Sequence, residues 1–261
     1  MKTSEIIQFI VDWIINYKKT NNINGLVVGV SGGIDSALTS TLCGLTGIKT
    51  LCLNMPIKQN KNQYLRAQGH IKWLKNKFNN IDSIDIDLTK VFNQFKLTVE
   101  NSSSKNELAL ANSRSRIRMM TLYYYASIDN SIVVGTGNKV EDFGIGFYTK
   151  YGDGGVDISP IADLMKSEVF QMSKLLEINE DILKAKPTDG LWDDDRSDEE
   201  QIGASYRDLE NVMNMLEKGI EPDTFEKELK RIYDIYIKYH KTNKHKMIDI
   251  PVCKIPEEYK L

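Results

Sequence analysis

At 261 residues the chain is long enough to bury a sizeable core, as one α/β domain or two small ones. Its charge is nearly balanced, at −2, so no global basic field marks it for nucleic acid or an anionic membrane. No apolar run reaches membrane-spanning length, and Cys43, Cys52 and Cys253 are scattered without a C-x-x-C pair. That excludes a disulfide framework, a zinc site and thiol-relay chemistry, and each cysteine reads as a small buried hydrophobe.

The N-terminus opens on an amphipathic pattern, Ile6, Ile7, Ile10, Trp13 and Ile14, and not on a signal-peptide core. A soluble cytoplasmic protein without membrane or nucleic-acid partners is expected. Residues 4–20 are predicted as a helix capped by Ser4 or Thr3. The run Leu26-Val-Val-Gly-Val30 reads as a buried strand, and Ser36 to Cys43 carries apolar residues at helical spacing. A second strand is predicted over 50–54, ended by Met55-Pro56, then a helix over 62–78. The alternating Ile84-Asp-Ile-Asp-Leu88 reads as a third strand, residues 105–128 as a long helix, and Ser131-Ile-Val-Val-Gly135 as a fourth strand. Strands alternating with helices predict one domain over 1–261, an open, mainly parallel twisted sheet with helices on both faces.

Downstream, Ser159-Pro160 reads as a helix start with Ser159 or Asp163 as its cap. The acidic, breaker-rich stretch 184–200 reads as a solvated loop or a mobile lid, with Ser197-Asp-Glu-Glu200 able to open the next helix. The tail is helical, and Tyr206, Leu209, Val212, Phe225, Ile232 and Tyr236 read as core.

The chemistry gathers around Ser31-Gly-Gly-Ile-Asp-Ser36, between the first strand and its helix. Strand, glycine turn and helix aim unpaired amides and a helix N-terminus at one spot, which suits phosphate. Asp35 in that loop would repel phosphate alone and makes sense as a ligand for magnesium bridging to it. Neither G-x-x-x-x-G-K-[ST] nor G-x-G-x-x-G is present. The loop resembles instead the pyrophosphate loop of the ATP pyrophosphatases, which cleave ATP to AMP and pyrophosphate. Gly135-Thr-Gly-Asn-Lys-Val-Glu-Asp142 leaves the C-terminal end of a strand, the edge where open α/β sheets bind ligands. If the first and fourth strands are neighbours, Thr136 and Glu141 face the loop, and Asp35 and Glu141 can share one magnesium; taken alone, Glu141 is equally well a solvated acid. Lys150 and Asp157 flank the glycine-rich Tyr151-Gly-Asp-Gly-Gly155, a ligand loop or a solvated hairpin. Lys166, near a helix start, opposes the helix dipole and is better explained by a phosphate contact.

Together these segments resemble the ammonia-dependent NAD synthetase family over essentially the whole chain. The most specific stretches are Ser31 to Ser36, Gly135-Thr-Gly-Asn-Lys-Val-Glu141 and Thr149-Lys-Tyr-Gly-Asp-Gly-Gly-Val-Asp157, joined by Lys166, Pro187-Thr188 and His245-Lys246. The resemblance implies an adenine nucleotide α-hydrolase-like fold. It implies that Ser31, Gly32, Gly33, Ile34, Asp35 and Ser36 cradle the ATP phosphates, that Thr136, Lys166 and Thr188 contact ATP, and that Asp35 and Glu141 hold Mg2+. Arg116, Lys150, Asp157, His245 and Lys246 would bind deamido-NAD. On a helix, Arg114 and Arg118 share a face and Arg116 points away. The implied enzyme amidates deamido-NAD with free ammonia through an adenylated intermediate, as a homodimer for which 119–125 offers an interface; Asp35 and Lys166 would act in catalysis. Glutamine-using relatives carry an amidase region that these 261 residues lack. Alternatives are a GMP-synthetase-like or tRNA-modifying ATP pyrophosphatase, or a non-catalytic nucleotide-binding regulator. A tRNA enzyme would show a basic stripe, and thiolation paired cysteines.

Overall fold

The computed structural model describes residues 2–99, 106–188, 190 and 197–260. Helix α1 (Thr3–Thr20) precedes β1 (Leu26–Gly29), α2 (Ile34–Leu45) and β2 (Thr50–Asn54). Next come α3 (Lys61–Lys77), β3 (Ile81–Asp85), α4 (Thr89–Val99), α5 (Glu107–Ile128) and β4 (Ile132–Val133). A π-helical segment (Val140–Ile145) is followed by α6 (Lys166–Leu175), α7 (Glu180–Leu183), α8 (Asp198–Ile202), α9 (Tyr206–Glu217) and α10 (Lys227–Met247).

The sheet is parallel, in the order β3-β2-β1-β4. Leu26 lies opposite Thr50 on one side and Ile132 on the other, so β1 is central and β4 is its neighbour. Chain order reverses between β1 and β4, which opens a crevice at their C-terminal ends. The two-residue period of β1 divides the core. Leu26, Val28 and Val30 pack with Ile14 of α1, Leu38 and Leu42 of α2 and Val169 of α6. Val27 packs on the other face with Leu53, Phe92 of α4 and Ile117 of α5. Helices therefore cover both faces. A third cluster joins Val140 and Ile145 of the π-helical segment to Leu209, Val212 and Ile232 of the C-terminal helices, bringing α9 to the crevice.

Several boundaries differ from the sequence reading. The third strand lies at Ile81–Asp85, three residues earlier than the alternating run implied. Its partner β2 stops at Asn54 before Pro56, so the ladder ends there, with Ile86 N donating to Asn54 O at 2.9 Å. Helix α4 was not expected; its β-branched and aromatic residues are weak helix formers, and burial of Phe92 stabilises it. The fourth strand is short, and beyond it Val134 bridges to Ile158. After that bridge residues 160–164 form turns, with Ala162 N donating to Ser159 O at 3.3 Å and Leu164 N to Ile161 O at 3.0 Å, so the helix expected from Ser159-Pro160 begins only at Lys166. Its opening amide, Met165 N, is satisfied by Glu168 at 2.8 Å, not by Ser159 or Asp163. Ser197 caps α8 with Glu200, as its sequence suggests. Neither Ser4 nor Thr3 caps α1, where Lys2 holds the cap position. Cys43 and Cys52 are buried, but Cys253 is exposed, because residues 248–256 follow α10 without regular secondary structure and are all exposed. No described helix is long and apolar enough to cross a membrane.

Candidate active site

The loop between β1 and α2 closes on itself through its two serines. Ser31 N and Ser31 Oγ lie 3.2 and 3.1 Å from Ser36 Oγ, which donates to Gly33 O at 2.9 Å, and Gly33 N donates to Ser31 Oγ at 3.2 Å. These bonds leave the first-turn amides of α2 without intrahelical acceptors, open to an anion. Gly32 is required twice over. Its φ is +82°, and a Cβ there would lie 2.5 Å from Gln63 O and 2.9 Å from Ala67 N of α3.

Opposite the loop, three elements meet over one buried lysine. Lys166 is 3% exposed, and its Nζ donates to Asp35 Oδ2 at 2.6 Å and Glu141 Oε1 at 2.9 Å. Asn138 Nδ2 donates to the other Asp35 oxygen at 3.0 Å, while Asn138 Oδ1 accepts from Val140 N and Glu141 N, both at 3.1 Å. Glu141 stands on the π-helical segment, a geometry often found at functional sites. The Tyr206 hydroxyl donates to Glu141 Oε1 and lies 3.3 Å from Asp198 Oδ2, and its ring faces the Lys166 ammonium at 4.8 Å. Lys166 thus has a structural use that its place at a helix start did not reveal: two acids outweigh the unfavourable dipole.

Charge states follow from burial and pairing. Burial raises the Asp35 pKa above the ordinary aspartate value, against the pull of Lys166. Burial acts on Glu141 too, but Lys166 and the Tyr206 hydroxyl outweigh it and hold the carboxyl low. Burial opposes charge on Lys166, yet the paired acids raise its pKa and keep it an ammonium. Two carboxylates and one ammonium leave the cluster one negative charge in excess. Deeper in the crevice, burial and the neighbouring Asp153 push Asp142 well above the ordinary range.

One cavity is lined by Ser31, Gly32, Gly33, Ile34, Asp35, Ser36, Thr136, Glu141, Lys166 and Thr188. Every residue assigned to ATP or metal therefore converges on it. Arg116, Lys150, Asp157, His245 and Lys246 do not line it. Lys150, His245 and Lys246 join the 146–150 loop to the end of α10, and Arg116 joins α5 to the loop. Lys150 Nζ donates to His245 O at 2.7 Å, Lys246 Nζ to Tyr148 O at 2.7 Å, and Arg116 to Lys150 O at 3.2 Å. Asp157 is used in the sheet, accepting from Val133 N at 2.7 Å and Tyr123 Oη at 3.0 Å. The three arginines of α5 diverge as their spacing requires. Arg114 covers the Phe92 ring at 4.9 Å, and Arg118 donates to Met55 O at 3.0 Å and Gln59 Oε1 at 2.9 Å. Of the 184–200 stretch, Asp189 and residues 191–196 lie outside the described residues.

Sequence reasoning missed Asn138, Tyr206 and Asp198. Asn138 sits inside the glycine motif and offered a signal. Tyr206 read as one more aromatic at helical spacing, which it also is, since it packs with Leu209 and Ile232.

The chain is similar to known proteins along most of its length. The NH(3)-dependent NAD(+) synthetase of Methanosarcina acetivorans is 38% identical over 218 residues, 82% of each chain. That of Archaeoglobus fulgidus is 33% identical over 258 residues, 98% of each chain. Among solved structures, NMN synthetase from Francisella tularensis superposes with a TM-score of 0.84 at 29% identity, covering 98% of this chain and 99% of that one. The NH3-dependent NAD synthetase of Campylobacter jejuni, in complex with the nitrate ion, gives 0.79 at 28% identity, over 97% and 100%. The NAD synthase family pattern matches residues 6–248, so the chain belongs to the NAD synthase family.

Proposed function

We propose that this enzyme amidates deamido-NAD to NAD with ammonia, at the expense of ATP cleaved to AMP and pyrophosphate. The observation that carries the reading is the convergence of Asp35, Glu141 and Lys166 beneath the phosphate loop in one cavity. Such a site neutralises charge on a phosphoryl centre and supplies no protein nucleophile.

In the first step the nicotinate carboxylate attacks the α-phosphorus of ATP. The bond to the β-phosphate oxygen breaks, giving an acyl adenylate and pyrophosphate. Ammonia then adds to the activated carbonyl, AMP leaves, a proton is lost, and the amide remains. Two anions must meet in the first step, so the chain's task is charge neutralisation and alignment. The first-turn amides of α2 cradle phosphate oxygens, and the serine pair fixes the curvature of the loop. Asn138 fixes Asp35, and Tyr206 fixes Glu141.

The donor set fits a magnesium ion. Asp35 and Glu141 both present a carboxylate oxygen to a single cationic point, the Lys166 ammonium. Among the described residues no group of three or more His, Cys, Asp or Glu side chains could hold a metal. Two carboxylates suit magnesium, which takes its remaining ligands from phosphate and water. Bound there, it supplies Lewis-acid polarisation of the phosphates.

Arg116, Lys150, His245 and Lys246 would hold deamido-NAD where α5, the 146–150 loop and the end of α10 meet. Asp157 would contribute by fixing β4 and Tyr123. A homodimer through α5 would close this region. The likeness to NMN synthetase favours a second reading, in which the acceptor is the mononucleotide acid.

The test supplies ATP, magnesium, ammonium and either deamido-NAD or nicotinic acid mononucleotide. The expected products from deamido-NAD are NAD, AMP and pyrophosphate in equal amounts. ADP and phosphate, or no amide from either acceptor, would overturn the assignment. Amide from the mononucleotide alone would select the second reading.

A further inference from the structure

The phosphate loop rests on α3 with no intervening space, and α3 brings a cation to the cavity that the cluster around Lys166 does not use. Arg66 lines the cavity beside Gly32 and Gly33, and its Nε donates to Gly32 O at 3.3 Å. Its Cβ lies 3.3 Å from the position a Gly32 Cβ would take, so the arginine stem is packed against the loop backbone. Among the described residues no carboxylate pairs with its guanidinium.

Among the described residues four cations line this cavity, and they are not equally available to phosphate. Lys166 is held by Asp35 and Glu141. Arg118 already donates to Met55 O and Gln59 Oε1. Lys186 is exposed at the rim. Arg66 is partly buried, tied at one nitrogen to the loop, with both terminal nitrogens uncommitted among the described residues. An arginine held in this way offers a planar pair of donors that matches two phosphate oxygens, which a lysine cannot do.

Cleavage between the α- and β-phosphates moves the bonding electrons onto the β-phosphate oxygen, so negative charge grows on the leaving pyrophosphate. Without a metal the cluster around Lys166 carries an excess negative charge, and with one its positive charge sits at Asp35 and Glu141, so a cation on the α3 side of the loop is placed to add compensation for the leaving group. We propose that Arg66 binds the β- and γ-phosphates of ATP and retains the departing pyrophosphate. The assignment rests on the reading of this cavity as the ATP site. It makes α3 part of the phosphate-binding machinery and gives the close packing of Gly32 on α3 a functional use.

The test measures calorimetric binding of pyrophosphate and of AMP, separately and with magnesium, to the full chain and to Arg66→Gln and Arg66→Lys. Arg66→Gln is expected to lose pyrophosphate affinity by about tenfold or more while AMP affinity stays within about twofold. Arg66→Lys, which keeps the charge and loses the fork, should fall between. Pyrophosphate affinity unchanged in Arg66→Gln would overturn the proposal. So would an equal loss for AMP and pyrophosphate, which would make Arg66 a support for the loop only. If the unaltered protein binds neither ligand, the ATP reading fails first and this assignment with it. Thermal melting of each variant separates loss of binding from loss of fold.

Discussion

Tyr206 shows how one side chain serves both core and site. Its ring packs among the C-terminal helices, while its hydroxyl reaches Glu141 and Asp198. Tyr206→Phe keeps the ring and removes the donor, leaving a buried carboxylate short of one hydrogen bond. Such a loss costs about 1–2 kcal/mol of stability, so the melting temperature should fall by roughly 2–8 °C, and kcat should fall as Glu141 loses the group that fixes it. Steady-state turnover at saturating substrates checks this; unaltered turnover would mean that the hydroxyl does nothing for Glu141. The residue scale also shows where sequence reading stops. Asp35, Glu141 and Lys166 were each nameable from their motifs, but nothing in one dimension states that one ammonium is shared by two acids. That contact spans 131 positions to Asp35 and 25 to Glu141.

At the scale of elements, the phosphate loop depends on how α2 and α3 are held together. His70 of α3 is fully buried, and its Nε2 lies 3.0 Å from Ser40 Oγ, which itself donates to Ser36 O at 2.7 Å. Ser40 has therefore spent its proton on the backbone, so His70 Nε2 donates and Nδ1 is left bare and buried, with no hydrogen-bond partner among the described residues. Protonating Nδ1 would bury a charge with nothing to pair it, and desolvation lowers the His70 pKa to about 4. The sign follows from linkage. Below pH 6.5 the unfolded chain takes up a proton that the folded chain refuses, so stability is lost as pH falls from 6.5 towards 4. The loss over that window is ~3 kcal/mol. Urea unfolding across this range should show a steeper decline for the native protein than for His70→Gln; equal slopes would contradict a neutral buried histidine. Elements were legible to the extent that they were periodic. Helix α5, β1 and β2 fell where their patterns put them, whereas β3 ends with the ladder at Pro56 and α6 starts only after the turns over 160–164 that follow the Val134–Ile158 bridge.

At the scale of the molecule, α5 leaves an unpartnered stripe. Met120, Tyr124 and Ile128 recur at four-residue intervals and are 59, 64 and 65% exposed, with Val91 and Phe95 of α4 also exposed. A homodimer through this face is expected, with light scattering giving twice the chain mass. Met120→Glu with Tyr124→Glu should shift it to monomer, and a native monomer at micromolar concentration would refute the assembly. The sequence by itself determined the strand-turn-helix loop at Ser31–Ser36, the alternation that dictates a parallel sheet, and the residue types of the candidate site. Those features are local: periodicity, turn chemistry and a short motif carry them. Only the tertiary structure decided that β4 lies beside β1, so that the Gly135–Asp142 segment meets the loop and α9 lays Tyr206 over the cluster. It also decided that Lys166 is paired with acids and that α3 offers Arg66 to the cavity. The reason is physical: a charge's partners are chosen by which faces the sheet order and the three cores bring together, and residues far apart in the chain carry no mark of that meeting.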